Sequence, residues 1–225
     1  APPAVSVCVH CILRIVPASS NDIPIRHAPG NTHNARERRE DPMNWRAPTG
    51  PLVWEHRLIE RMIALMREQL ELIDETGAID PHFIDTATDF IRTYADRCHH
   101  GKEEDILFRE LAKKDLDPAL KADMDGLIAD HVYGRQTTGR LVAANAAYRA
   151  GDAGALTDIR SAIQTLVDFY PGHTAKEDKR FFRPCLAYFS EEEKRAMLAE
   201  SAEFDAQLIH EKYHSVVAAL EPERR

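Results

Sequence analysis

Two short segments hold the residues best suited to do chemistry. The first is Cys98-His99-His100-Gly101-Lys102-Glu103-Glu104-Asp105, and the second is His173-Thr174-Ala175-Lys176-Glu177-Asp178. Aligned without a gap, His99 falls on His173, Lys102 on Lys176, Glu103 on Glu177 and Phe108 on Phe182. In both segments a carboxylate follows an imidazole at i+4, which stacks the two side chains on one face of a helix. One such face can hold a metal ion, and two meeting inside a bundle can hold two. A lone His-x-x-x-Glu would carry little weight; its repetition makes metal binding the leading reading. Imidazole with carboxylate suits iron, manganese or zinc, and without thiolates it does not suit soft copper(I).

These segments need helices to present them. Leu52, Ile59, Met62, Ile63, Met66, Leu70 and Ile73 form an apolar stripe that predicts a first helix from Leu52 to about Thr76, ended by Gly77. His56 lies at the edge of that stripe, with Glu60 one turn on. Asp80-Pro81 supplies an N-cap and a proline at the first position of a second helix. Its stripe is Ile84, Ala87, Ile91, Tyr94 and Cys98. An ideal wheel places His99 nearer this stripe than His100, which points almost opposite, and it does not choose between Glu103 and Glu104. Asp117-Pro118 repeats the cap and opens a third helix, whose inner face of Leu120, Met124, Leu127, Thr138 and Val142 has His131 at its middle. After a turn at Gly151 to Gly154, Leu156, Ile159, Ile163, Leu166 and Tyr170 mark a fourth helix. His173 and Glu177 continue its stripe, and Asp178 lies about a quarter-turn away. Pro171-Gly172 predicts a kink just before His173, and Pro184 the end of the straight part. Ser190-Glu191-Glu192-Glu193 is a capping box that starts a fifth helix to about Leu220, carrying His210 and His214. No stretch alternates like a strand. The fold class is therefore all-α, a four-helix bundle with an additional C-terminal helix.

The chain has 225 residues and 44% hydrophobic residues, enough for one domain with a sizeable core. A net charge of -8 disfavours nucleic acid or an anionic membrane as partner. No apolar run approaches the roughly 20 residues of a membrane span. The first residues lack a basic start, so they read poorly as a signal peptide, and four cysteines (Cys8, Cys11, Cys98 and Cys185) make no disulfide framework. A cytoplasmic, reduced setting is expected. Residues 1–50 hold seven of the thirteen prolines and read as a flexible extension; residues 51–189 form the metal-binding bundle, and 190–225 a helix packing on it. Met43 is the first methionine, which raises translation from Met43 as an expectation. Cys8-Val9-His10-Cys11 lacks a second ligand pair at zinc-finger spacing.

Four inward-leaning histidines, His56, His99, His131 and His173, come from four successive helices, with Glu103 and Glu177 one turn beyond two of them. A carboxylate can bridge two ions, so six such ligands support a dinuclear centre. Burying that many polar groups unpaired would cost several kcal/mol, which counts against a merely structural core. At these residues the chain resembles the hemerythrin-like family, the HHE cation-binding domain. The likeness spans roughly residues 50–190. It rests on Glu55-His56, on His99-His100-x-Lys102-Glu103-Glu104-x-x-Leu107-Phe108, on His131 followed by Gly134-Arg135, and on His173-x-x-Lys176-Glu177-Asp178-x-x-Phe181-Phe182-x-Pro184.

That resemblance implies a bundle around a non-haem centre of two irons, with zinc or manganese as alternatives, held by His56, His99, Glu103, His131, His173 and Glu177. It also implies binding of oxygen or a related small ligand such as peroxide or nitric oxide, in sensing, storage or protection from oxidants. The chain departs from the oxygen-carrying members at Arg135, where they have a second third-helix histidine. Glu60 could replace that ligand, or Arg135 could bond a bridging carboxylate or anion. Those members also place their last carboxylate at the position of Asp178. His100, Glu104 and Asp178 thus join Glu60 and Arg135 as additional ligand or supporting candidates. No catalytic residue is singled out. An enzyme acting on peroxide, nitric oxide or ferrous iron, and an interaction module with a structural metal, are the alternatives. Oligomeric state is left open.

Overall fold

The computed structural model describes residues 45–220, with side chains as far as Leu208. The Pro-rich extension before Trp45, the Cys8-Val9-His10-Cys11 motif, Met43 and the side chains of His210 and His214 lie outside the described residues. Five helices follow one another: α1 (Thr49–Thr76), α2 (81–111), α3 (Pro118–Arg149), α4 (155–186) and α5 (Glu191–Leu220). The expected caps form. Asp80 accepts from the His82 N–H at 2.9 Å, and Asp117 accepts from the N–H groups of Ala119 and Leu120 at 3.0 Å. Ser190 and Glu193 cap each other reciprocally at 2.8 and 3.2 Å. Gly77 closes α1 with φ +68°, a left-handed turn that an L side chain resists.

Two helices depart from α geometry. In α2 the backbone is α-helical over Pro81–Phe90, π-helical over Ile91–His100 and Glu103–Phe108, and α-helical again at Arg109–Leu111. In α4, Ala155–Lys176 is α-helical, Glu177–Phe181 is π-helical and Phe182–Leu186 is α-helical. The backbone stays α-helical through Pro171 and His173, and the change to π geometry begins at Glu177.

The first four helices close a ring in which α1 packs on α2 and α4, and α3 on α2 and α4; α5 lies along α2. Two apolar layers fill the interior. One holds Ile59, Ile63, Met66, Ile84, Ile91, Leu141, Ile159, Ile163 and Leu166. The other holds Leu52, Ile106, Phe108, Leu111, Leu127, Phe181, Phe182 and Met197. On every bundle helix the buried histidines and glutamates fall between the two. His56 lies between Leu52 and Ile59, the His99–Glu103 segment between Ile91 and Ile106, His131 between Leu127 and Leu141, and His173 with Glu177 between Leu166 and Phe181. The stripe of each helix is thus interrupted at the same level, and the interruptions meet. Among the described residues, no helix is long and apolar enough to cross a membrane.

Ile163 is fully buried in the layer away from the α1 N-terminus. Ile163→Ala should destabilise the chain by about 2–5 kcal/mol through the cavity it leaves. Denaturant unfolding should show this loss while metal content stays unchanged.

Candidate metal centre

The layer between the apolar clusters contains five imidazoles and two carboxylates. His56, His99, His100, His131, His173, Glu103 and Glu177 are all at most 3% exposed. They fall into two groups. His56, His99, Glu103 and Glu177 each offer a ligand atom within 4.8 Å of the others, and so do His100, His131 and His173. The carboxylates span the groups. Glu103 places Oε1 3.6 Å from His99 Nε2 and Oε2 3.3 Å from His131 Nε2. Glu177 places Oε2 3.1 Å from His56 Nε2, and Oε1 3.2 Å from His173 Nε2 and 3.7 Å from His131 Nε2.

The π-helical backbone explains a residue that the ideal wheel turns away. His99 and His100 are consecutive, yet both are buried, because a π turn is wider than an α turn and swings neighbours apart by less. His100 stacks on His131 with ring centroids 3.9 Å apart. It therefore stands as a third imidazole beside His131 and His173, on the group where Arg135 leaves the third helix without a second histidine.

Every inward ring has a carboxylate behind it. His56 Nδ1 lies 2.8 Å from Asp178, His99 Nδ1 3.0 Å from Glu55, and His131 Nδ1 2.7 Å from Glu104. His100 and His173 face Asp96 and Asp130 at longer distances, 3.4 and 3.5 Å. A cation steadies each carboxylate in turn. Arg57 holds Asp178, Lys102 holds Glu55, Lys176 holds Asp130, and Arg135 reaches both Asp96 and Glu104 at 2.7 Å. An ionised carboxylate only accepts, so the Nδ1 atoms of His56, His99 and His131 carry a proton, and Nε2 is the nitrogen left to a metal once any second proton has gone.

The additional candidates now have places. Glu104 and Asp178 hold rings from outside. Arg135 pairs with Asp96 and Glu104 instead of Glu103 or Glu177. Glu60 is on the solvent face, bonded to Arg57 at 2.9 Å, so it does not stand in for the missing imidazole. Sequence reasoning passed over the roles of Glu55, Asp96 and Asp130 and of the repeated lysines. The lysines left a signal, since Lys102 and Lys176 recur at one position of the repeat. Each pairs with the carboxylate behind the histidine at i−3.

The donor set fits a cation. Both oxygens of Glu103 and of Glu177, together with His131 Nε2 and His173 Nε2, are buried without a hydrogen-bond partner. His56 Nε2 and His99 Nε2 face each other at 3.0 Å. Each such group left unmet costs on the order of 1–3 kcal/mol. A positive charge between them would satisfy both lone pairs and carboxylates. The electrostatics point the same way. Burial pushes His56 down, but Asp178 and Glu177 outweigh it and hold its pKa up at about 10. Burial likewise opposes Glu103, Glu104 and Glu177 at His131, whose pKa is held up at about 11. At Glu177 burial favours the neutral acid, yet His173, His131 and His56 keep the carboxyl well below its usual range. His100 is driven down chiefly by burial and stays a neutral donor. A cleft of about 440 Å³ between α2 and α3, bounded by Asp96, His100, Arg135, Gly139 and Tyr170, leads toward this ring.

A family model described as Hemerythrin HHE cation binding domain matches residues 50–185. Neither a curated protein nor a solved structure matches the chain.

His56 and His131 are raised from 6.5, so without metal the stability they contribute is complete below 6.5 and is lost as pH rises through about 10 to 11. The Tm of chelator-treated protein should fall across that window, and a flat profile would contradict the balance described. Metal must displace the same protons. Zinc loading at pH 7 in weak buffer should therefore acidify the solution, and zinc affinity should rise with pH.

Proposed function

Because the chain belongs to the hemerythrin HHE cation-binding family, we propose that it is a non-haem di-iron protein that binds oxygen or a related small ligand. Its role is in sensing, storage or protection from oxidants, in the cytoplasm. The observation that carries this reading is the pair of carboxylates spanning two groups of imidazoles, with both oxygens of each carboxylate and the inner nitrogens of His131 and His173 left without a hydrogen bond. One structural ion would not need Glu103 and Glu177 each to turn an oxygen toward both groups.

In this reading His56 and His99 hold one ion and His100, His131 and His173 the other, with Glu103 and Glu177 shared. His100 makes good the imidazole that Arg135 displaces. Iron is the first choice, and the same donors accept manganese or zinc. The bound ions supply Lewis acidity and redox electrons. The chain's residues do the rest. The outer carboxylates keep each Nε2 free to donate and hold each ring in place. The apolar layers above and below exclude bulk water, and the cleft beside His100 admits a small molecule.

The test is metal analysis with an optical spectrum, on protein from iron-replete cells, before and after oxygen. About two irons per chain are expected, with a spectrum that changes on oxygenation. Reversal on deoxygenation marks a carrier or sensor, and consumption of peroxide or nitric oxide marks an enzyme. A colourless chain with one tightly held zinc would leave only a structural metal. Glu177→Gln should deplete both irons, because Glu177 serves both groups, whereas His100→Ala should deplete mainly one.

A further inference from the structure

The family match ends at residue 185, and α5 lies beyond it. We propose that α5 is nonetheless part of the metal centre, with Asp205 a positioning residue that acts on His99 through Lys102 and Glu55. The proposal rests on the histidine layer holding metal.

The contacts form an unbroken chain. Phe204 presses so closely on Gly101 that a Cβ there would lie 2.8 Å from the ring tip, so glycine lets α5 approach α2 at this level. Asp205, beside it, places Oδ1 2.8 Å from Lys102 Nζ and accepts the Cys98 S–H at 3.2 Å. Lys102 is 2% exposed, and its ammonium also binds Glu55 Oε1. The other oxygen of Glu55 meets His99 Nδ1 at 3.0 Å. Glu55, Cys98 and Asp205 have the look of a metal site of their own, but the Lys102 ammonium is bound to both carboxylates and provides their cation.

Charge gives the chain its direction. Two carboxylates share one ammonium, which leaves a net negative charge beside His99. A divalent ion on the inner side of His99 supplies the missing positive charge, so its binding and the docking of Asp205 favour each other. The Asp205 side chain keeps 42% of its surface in water, so its effect is screened and smaller than that of Glu55. Reciprocity requires that metal tighten α5 as much as α5 tightens metal.

The experiment uses the full chain loaded with zinc. Asp205→Asn should release zinc to a chelator about tenfold faster, the lower end for losing an outer partner of a ligand, and Asp205→Glu should restore the slow rate. Phe204→Ala, which loosens docking with the charge intact, should also speed release. In the unaltered chain zinc should slow amide exchange across residues 201–208, and Asp205→Asn should abolish that protection. Wild-type release from Asp205→Asn, or exchange across 201–208 indifferent to zinc, overturns the proposal and leaves metal binding standing. A chain that takes up no zinc overturns both.

Discussion

The structure turns on a charge problem inside an apolar bundle. Seven ionisable side chains meet at one level, screened from water by hydrophobic layers on both sides. Charges so placed persist only if each is matched by another charge or a hydrogen bond. The chain meets that demand from the outside inward. Outer cations hold carboxylates, the carboxylates hold imidazoles, and the imidazoles point their Nε2 atoms at a shared centre. The inner carboxylates are the last step, and among the described residues their oxygens meet the facing imidazoles at 3.1 to 3.7 Å without a hydrogen bond. A cation at the centre closes the series.

The same demand accounts for the repeat. In His-x-x-Lys-Glu the histidine faces inward, the glutamate spans the two groups, and the lysine holds the carboxylate that steadies the histidine. Lys102 does this through Glu55 of α1, and Lys176 through Asp130 of α3. Each repeat therefore recruits a neighbouring helix and ties the bundle at the level of the site. The outcome differs between copies because of burial. Lys176 remains partly exposed, whereas Lys102 is sealed beneath α5. The C-terminal helix thus bears on one repeat and not on the other.

Departures from α geometry occur where the ligands are densest. The π turns of α2 run through His99 and His100 and resume at Glu103, and those of α4 begin at Glu177. A regular helix offers one inward position per turn on a narrow face. Widening the turn lets adjacent residues share the interior, at the cost of weaker backbone geometry, and such bulges gather at functional sites. The packing of Phe108 and Phe181 at the ends of these segments, and of Phe182 just beyond, supports the irregular backbone.

Much of this was legible in the linear chain. Helix starts follow from Asp80-Pro81, Asp117-Pro118 and the Ser190–Glu193 box, because capping is local chemistry. The apolar stripes place His99, His131, His173 and Glu177 on inner faces and His56 at the edge of one, because periodicity decides which side of a regular helix is buried; it left Glu103 and Glu104 undivided. Tertiary structure decided what periodicity cannot. His100 came inside because the backbone became π-helical, a change that pays for itself only when other helices supply partners. Glu60 stayed outside because Arg57 holds it there, and Asp178 turned to His56 rather than to the centre. Glu55, Asp96 and Asp130 gained their roles from helices distant in sequence, as did the contact of Asp205 with Lys102. A sequence can state which residues lie on one face of a helix; which nitrogen meets which oxygen across a bundle depends on how the faces pack.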